Sequence, residues 1–132
     1  MLSRNRRLKS ADFETAFAKG RQFRHPLLVL RCYQRATDDH VPLRAAFVVP
    51  KKQAKASGRN RWRRRLRHWF YEILQSLPES DQDNSAKWNQ CDLIFMLTAQ
   101  GQEAKPQEVR QAMNALWIKI QRYLGHNESS SG

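Results

Sequence analysis

The chain has 132 residues, enough for one compact domain that closes a core without metal or disulfide staples. It carries 24 Lys/Arg against 12 Asp/Glu, and the excess sits in residues 1–70, with 19 basic and 4 acidic side chains, whereas residues 71–132 hold 5 and 8. That asymmetry points to a polyanionic partner, nucleic acid ahead of an anionic membrane surface, and no run approaches the roughly 20 apolar residues that would span a bilayer.

The opening MLSRNRRLKS leads into an amphipathic aromatic stretch rather than an apolar signal core, as expected of an uncleaved cytoplasmic protein. Ser10 is placed as an N-cap, with Asp12 and Glu14 in the first turn and Gly20 as a stop, so a helix is expected over about Ser10 to Lys19. Phe13 and Phe17 are four apart and share one face of it. The segment Pro26 to Gln34 is apolar and β-prone, RATDDHVP turns the chain, and Leu43 to Val49 supplies another strand. These two strands are expected to lie next to each other, antiparallel.

Residues 58–70 read GRNRWRRRLRHWF, and the nine positions Arg59 to Arg67 include six arginines. At about 100° per residue, Trp62, Leu66, Trp69, Phe70, Ile73 and Leu77 form one apolar stripe, opposite Asn60, Arg61, Arg64, Arg65, Arg67 and His68. Burying about five such side chains is worth on the order of 10 kcal/mol gross, whereas like charges at i and i+4 oppose the helix by a few tenths of a kcal/mol per pair. Packing therefore wins and the cations are held outward. Arginine is permanently charged and donates from a planar fork, so a row of arginines grips phosphates while reading little sequence. Lys51, Lys52 and Lys55 precede the helix and extend the positive surface toward its N-terminus.

Pro78 ends this helix, and PESDQDNSAKWNQ connects it to CDLIFMLT, a buried-strand candidate. After AQGQEAK, Pro106 opens a second long amphipathic helix, which Gly125 is expected to stop, leaving 126–132 as a disordered tail to a single domain over 1–125. The order of helix, strands, helix, strand and helix is mixed α/β with a small sheet. Cys32 and Cys91 lack ligand-spaced companions and are expected to be buried reduced thiols. His25, His40, His68 and His126 are read as scattered surface residues, each without a carboxylate at helical spacing, and Asp38 and Asp39 as turn residues, so neither a catalytic nor a metal site is assigned to the chain.

The stretch KKQAKASGRNRWRRRLRHWF resembles the signature of the bacterial ribonuclease P protein component: Lys51, Lys52, Arg59, Asn60, Arg61, Arg63, Arg64, Arg67 and Phe70 fall at matching positions. RNRRLKSADFETAFAKGRQF is similar to the family's opening, and CDLIFML with a closing amphipathic helix to its C-terminal half. The resemblance implies an α+β sandwich of the ribosomal-protein type: a mixed, mainly antiparallel four-stranded sheet packed with three helices, with a left-handed crossover. It implies an accessory subunit, while a large RNA with bound Mg²⁺ removes the 5′ leader of precursor tRNA; the catalytic RNA and precursor tRNA are the implied partners. Lys51, Lys52, Lys55, Arg59, Asn60, Arg61, Arg63, Arg64 and Arg67 would face that RNA, and Phe13, Phe17, Val29 and Arg31 would line a cleft for the leader. The sequence departs from the family pattern at Arg31, where an aromatic is common, and at Pro50, Arg65 and His68. The alternative weighed beside this is a structural ribosomal-type protein on ribosomal RNA.

Overall fold

Arg7 forms a parallel β-bridge with Ala45, and the Leu8 amide donates to the Ala45 carbonyl at 3.1 Å. The computed structural model describes residues 6–35, 43–50, 56–77 and 90–131, with residues 56, 57 and 125–131 described by backbone alone. The bridge fixes how the chain enters helix α1 (Ser10–Lys19). Lys9 takes the N-cap position in extended backbone without a side-chain cap, and Ser10 is the first helical residue, one place later than its expected capping role. Gly20 does end α1, because of a close approach: a Cβ there would fall on the Ala16 carbonyl oxygen and 3.3 Å from the Cys32 carbonyl.

Strand β1 (Arg21–Arg24) follows, then β2 (Leu28–Gln34). Four residues with two arginines show no apolar alternation, so β1 carries no strand signal in sequence. Pro26 and Leu27 belong to the hairpin turn, in which the Leu27 amide donates to His25 Nδ1 at 3.1 Å. Strand β3 (Arg44–Val48), helix α2 (Ala56–Gln75) and strand β4 (Cys91–Leu97) come next, then the short α3 (Ala99–Glu103) and α4 (Pro106–Ser131). α3 lies within the stretch expected to be a plain connector; Thr98 caps it, its Oγ1 accepting from the Gly101 amide at 2.9 Å. α4 runs past Gly125: a helical glycine costs about 1 kcal/mol relative to Ala but does not by itself stop a helix.

The four strands are ordered β1-β2-β4-β3. β2 and β3 are therefore not neighbours, contrary to expectation; β4 lies between them, antiparallel to β2 and parallel to β3. The reason is burial. In β4 six of seven residues are fully buried, the pattern of a strand covered on both faces, and such a strand takes the centre. With β3 and β4 parallel, the connection must cross over, and α2 is the crossover helix.

Register sorts the side chains into two faces. Leu28, Leu30, Cys32, Ala45, Leu93, Phe95 and Leu97 join Trp62, Leu66, Phe70 and Leu74 of α2 and Val109, Met113, Leu116, Trp117 and Ile120 of α4 in one core. Phe70 lies 5.1 Å from Phe95 and 5.6 Å from Trp117, ring centre to ring centre. On the opposite face, α1 sits over Ile94 through the fully buried Ala16. Beyond it Val29, Met96 and Val48, neighbours across β2, β4 and β3, stay half-buried. Among the described residues no helix is long and apolar enough to cross a membrane.

Candidate nucleic-acid interface

The arginine helix is anchored as its periodicity predicts. Trp62, Leu66, Phe70 and Leu74 are buried, Trp69, Ile73 and Leu77 are packed half-buried beside them, and Asn60, Arg61, Arg64 and His68 are exposed on the far side. Arg59, Arg63, Arg65 and Arg67 are half-buried along the flanks. Arg63 donates to the Asn60 side-chain oxygen at 2.9 Å, and the Arg65 guanidinium lies 5.0 Å over the Trp62 ring, which explains how this position tolerates a cation in place of an apolar residue. Among the described residues no carboxylate pairs with any of the six arginines from Arg59 to Arg67. Lys51, Lys52 and Lys55 lie outside the described residues.

The positive surface has a component that reading the helix alone missed. The β-bridge that seats Arg7 against β3 also brings it near α2, and Arg6 donates to the Leu43 carbonyl at 3.2 Å. The Arg67 guanidinium is held below its ordinary pKa by burial first, then by Arg7 and Arg63. Cations crowded with no intervening acid are arranged for an anion rather than for the stability of the free domain. The run RNRR carried this signal in sequence; what it lacked was a reason to fold back beside residues 63–67.

On the α1 side of the sheet, Phe13 and Phe17 stack with ring centres 5.9 Å apart, and Phe17 is 41% exposed. Arg31 rises from β2 to place its guanidinium 4.5 Å from the Phe17 ring centre, donating to the Phe17 carbonyl and to Gln22 Oε1, each at 2.9 Å. The donation satisfies one of the orphan carbonyls at the end of α1. Val29 lies on the same face of β2, half-buried. The four predicted cleft residues are thus brought to one side of the sheet, three of them in contact as a stack.

An ion network joins α1 to the same side of the sheet. Asp92, 2% exposed on β4, accepts from Arg35 and, bidentately, from Arg44 at 2.9 and 2.8 Å; Arg44 also donates to Asp12 of α1 at 2.9 Å. It ties α1 to the sheet. Contrary to the reading of the histidines as isolated, His68 pairs with Glu72 one turn on, at 2.5 Å, and Glu72 also accepts from Arg110 of α4 at 2.6 Å. The i, i+4 spacing of that pair was available in the sequence. Cys32 and Cys91 are buried thiols, and the Cys32 thiol is pushed up by its hydrogen bond with Cys91, then by burial.

An α+β fold with an arginine ridge on one helix, unpaired with carboxylates among the described residues, and a stack of Phe13, Phe17 and Arg31 on the other face of the sheet has the features of a small RNA-binding type of domain. The family model for ribonuclease P matches residues 2–121. The chain belongs to this family. It is 42% identical over 80 residues to the ribonuclease P protein component of Streptomyces bikiniensis, covering 56% of this chain and 65% of that protein, and 46% identical over 79 residues to that of Gluconacetobacter diazotrophicus, covering 59% and 66%. The chain thus matches just under two thirds of the length of these curated relatives. The fold is similar to the RNase P proteins of Staphylococcus aureus (TM-score 0.68, 20% identity, 87% of this chain and 94% of that one) and Thermotoga maritima (TM-score 0.65, 22% identity, 83% and 93%).

Proposed function

We propose that this chain is the protein subunit of a ribonuclease P ribonucleoprotein, acting in the cytoplasm with a catalytic RNA on precursor tRNA. The observation that carries the reading is the ridge of α2: six arginines in nine positions, unpaired with carboxylates among the described residues and held outward by buried Trp62, Leu66, Phe70 and Leu74. Family membership and the matching relatives support it. Asn60, Arg61 and Arg64 meet phosphates from the exposed crest, Arg59, Arg63 and Arg67 from its flank, and Lys51, Lys52 and Lys55 extend the contact. Phe13, Phe17, Val29 and Arg31 take the unpaired leader strand, by ring contact and by the charge of Arg31.

Bond cleavage is assigned to the RNA. Among the described carboxylates, Asp12, Asp92 and Glu72 are each engaged by guanidinium or imidazole groups and do not together make a donor set for a hard cation. In this reading Mg²⁺ would be held by the partner RNA, where it would supply charge neutralisation and an activated water. Sequencing the RNA retained on the tagged protein tests the reading. One discrete RNA that processes precursor tRNA supports it. Ribosomal RNA alone would replace it with a structural role in the ribosome, and cleavage by the RNA-free protein would overturn the division of labour.

A further inference from the structure

Between α2 and α4 lies an open groove of about 480 Å³ lined by Trp69, Gln107, Arg110, Gln111 and Asn114, a volume in the range of small-ligand sites. We propose that it is a subsite for one unpaired nucleobase of the partner RNA, an inference that rests on the RNA-binding reading of α2.

Three observations select this occupant. The groove continues the arginine ridge through a run of contacts: Arg65 lies over Trp62 at 5.0 Å, Trp62 meets Trp69 edge-on at 6.4 Å, and Trp69 lines the groove. Trp62 itself is buried, but Arg65 and Trp69 are four residues apart on α2, so an RNA gripped along the Arg65 flank meets the groove one turn further on. The lining chemistry suits a base rather than a phosphate. Gln107, Gln111 and Asn114 each offer a carboxamide that donates and accepts, the requirement for pairing with a base edge, and the half-buried indole of Trp69 offers an aromatic surface. Arg110, the one cation in the lining, is already held by Glu72, which His68 also engages, so the neighbouring carboxylate disfavours an anionic group while leaving a neutral ring unopposed. The polar side chains come from α4 at positions 107, 110, 111 and 114, one face of the helix at three- and four-residue spacing, and all are exposed.

The test uses the full-length protein with the RNA that co-purifies with it. Cys32 and Cys91 are buried, so an Ala115→Cys variant on the exposed rim next to Asn114 can be labelled selectively with a thiol-directed photo-crosslinker. The expected product is a crosslink to the RNA at an unpaired nucleotide. The double variant Gln111→Ala with Asn114→Ala should bind that RNA about 10-fold more weakly with an unchanged dependence on salt, because no charge is removed, whereas Arg64→Ala should lower both affinity and salt dependence. A double variant within twofold of the parent, or a crosslink only to protein or to base-paired RNA, overturns the subsite while the effect of Arg64→Ala leaves the ridge standing. If Arg64→Ala also changes nothing, the RNA reading of α2 falls and the subsite with it.

Discussion

The guanidinium of Arg31 covers the ring of Phe17 at 4.5 Å and donates to that residue's own carbonyl at 2.9 Å. One side chain thus orients the aromatic and closes the helix end that carries it, so the two positions act as a unit. Phe17→Ala should reduce the preference for leader-bearing over mature tRNA by about 1–3 kcal/mol. Arg31→Ala should cost part of the same preference, and the double variant less than the sum of the two, in binding titrations of both tRNA forms. Additive losses would show that Arg31 and Phe17 contact the leader independently.

Arg64 is exposed on α2 and makes no ion pair among the described residues. Arg64→Ala should leave the melting temperature close to the parent while weakening RNA binding at every salt concentration. The slope of log K against log salt should fall by about 0.7–0.9, one phosphate's worth, in filter-binding titrations. An unchanged slope would remove Arg64 from the phosphate contacts.

Asp92 is shared by Arg35 and Arg44, and through Arg44 it reaches Asp12 on α1. Asp92→Asn keeps the shape but removes the charge that both guanidinium groups use. A loss of about 3 kcal/mol is expected in urea unfolding, with α1 loosening first in amide exchange, because the network is its electrostatic tie to the sheet. A loss below 1 kcal/mol would mean that apolar packing through Ala16 suffices.

Cys32 keeps its proton in the folded state, held by the hydrogen bond with Cys91 and by burial, whereas the unfolded thiol ionises near its usual value of about 8.5. The folded state therefore binds more protons at alkaline pH, and the contribution, complete below that value, is lost as pH rises beyond it, at about 1.4 kcal/mol per pH unit. Cys32→Ala should flatten the alkaline limb of the stability profile, and both thiols of the native protein should resist thiol reagents until it unfolds.

Much of this was legible because helical periodicity is local. Trp62, Leu66 and Phe70 recur every four residues, so the buried stripe of α2, and with it the outward ridge, follows from the order of residues alone. Strand neighbours are not encoded that way. Two β-prone segments separated by a polar turn read as a hairpin, and only the unbroken apolar run of Leu93 to Leu97, which demands cover on both faces, signals that a third strand separates them. The cleft residues could be named from a resemblance, but the grip of Arg31 on Phe17 depends on where β2 passes under α1, a tertiary fact. The strand β1 was lost because its four residues, two of them arginines, show no apolar alternation, and the cap at Lys9 because the bridge that seats the preceding Arg7 has its partner, Ala45, distant in the chain.

The central place of β4 bears on the order of events during synthesis. Its partners β2 and β3 are both made earlier and have no ladder with each other, so a growing chain that ends before Cys91 holds two strand edges facing a gap one strand wide. The last third of the polypeptide must emerge before those edges are satisfied, and until then they are exposed to other chains. Premature termination in this region should thus yield aggregates rather than a smaller working domain.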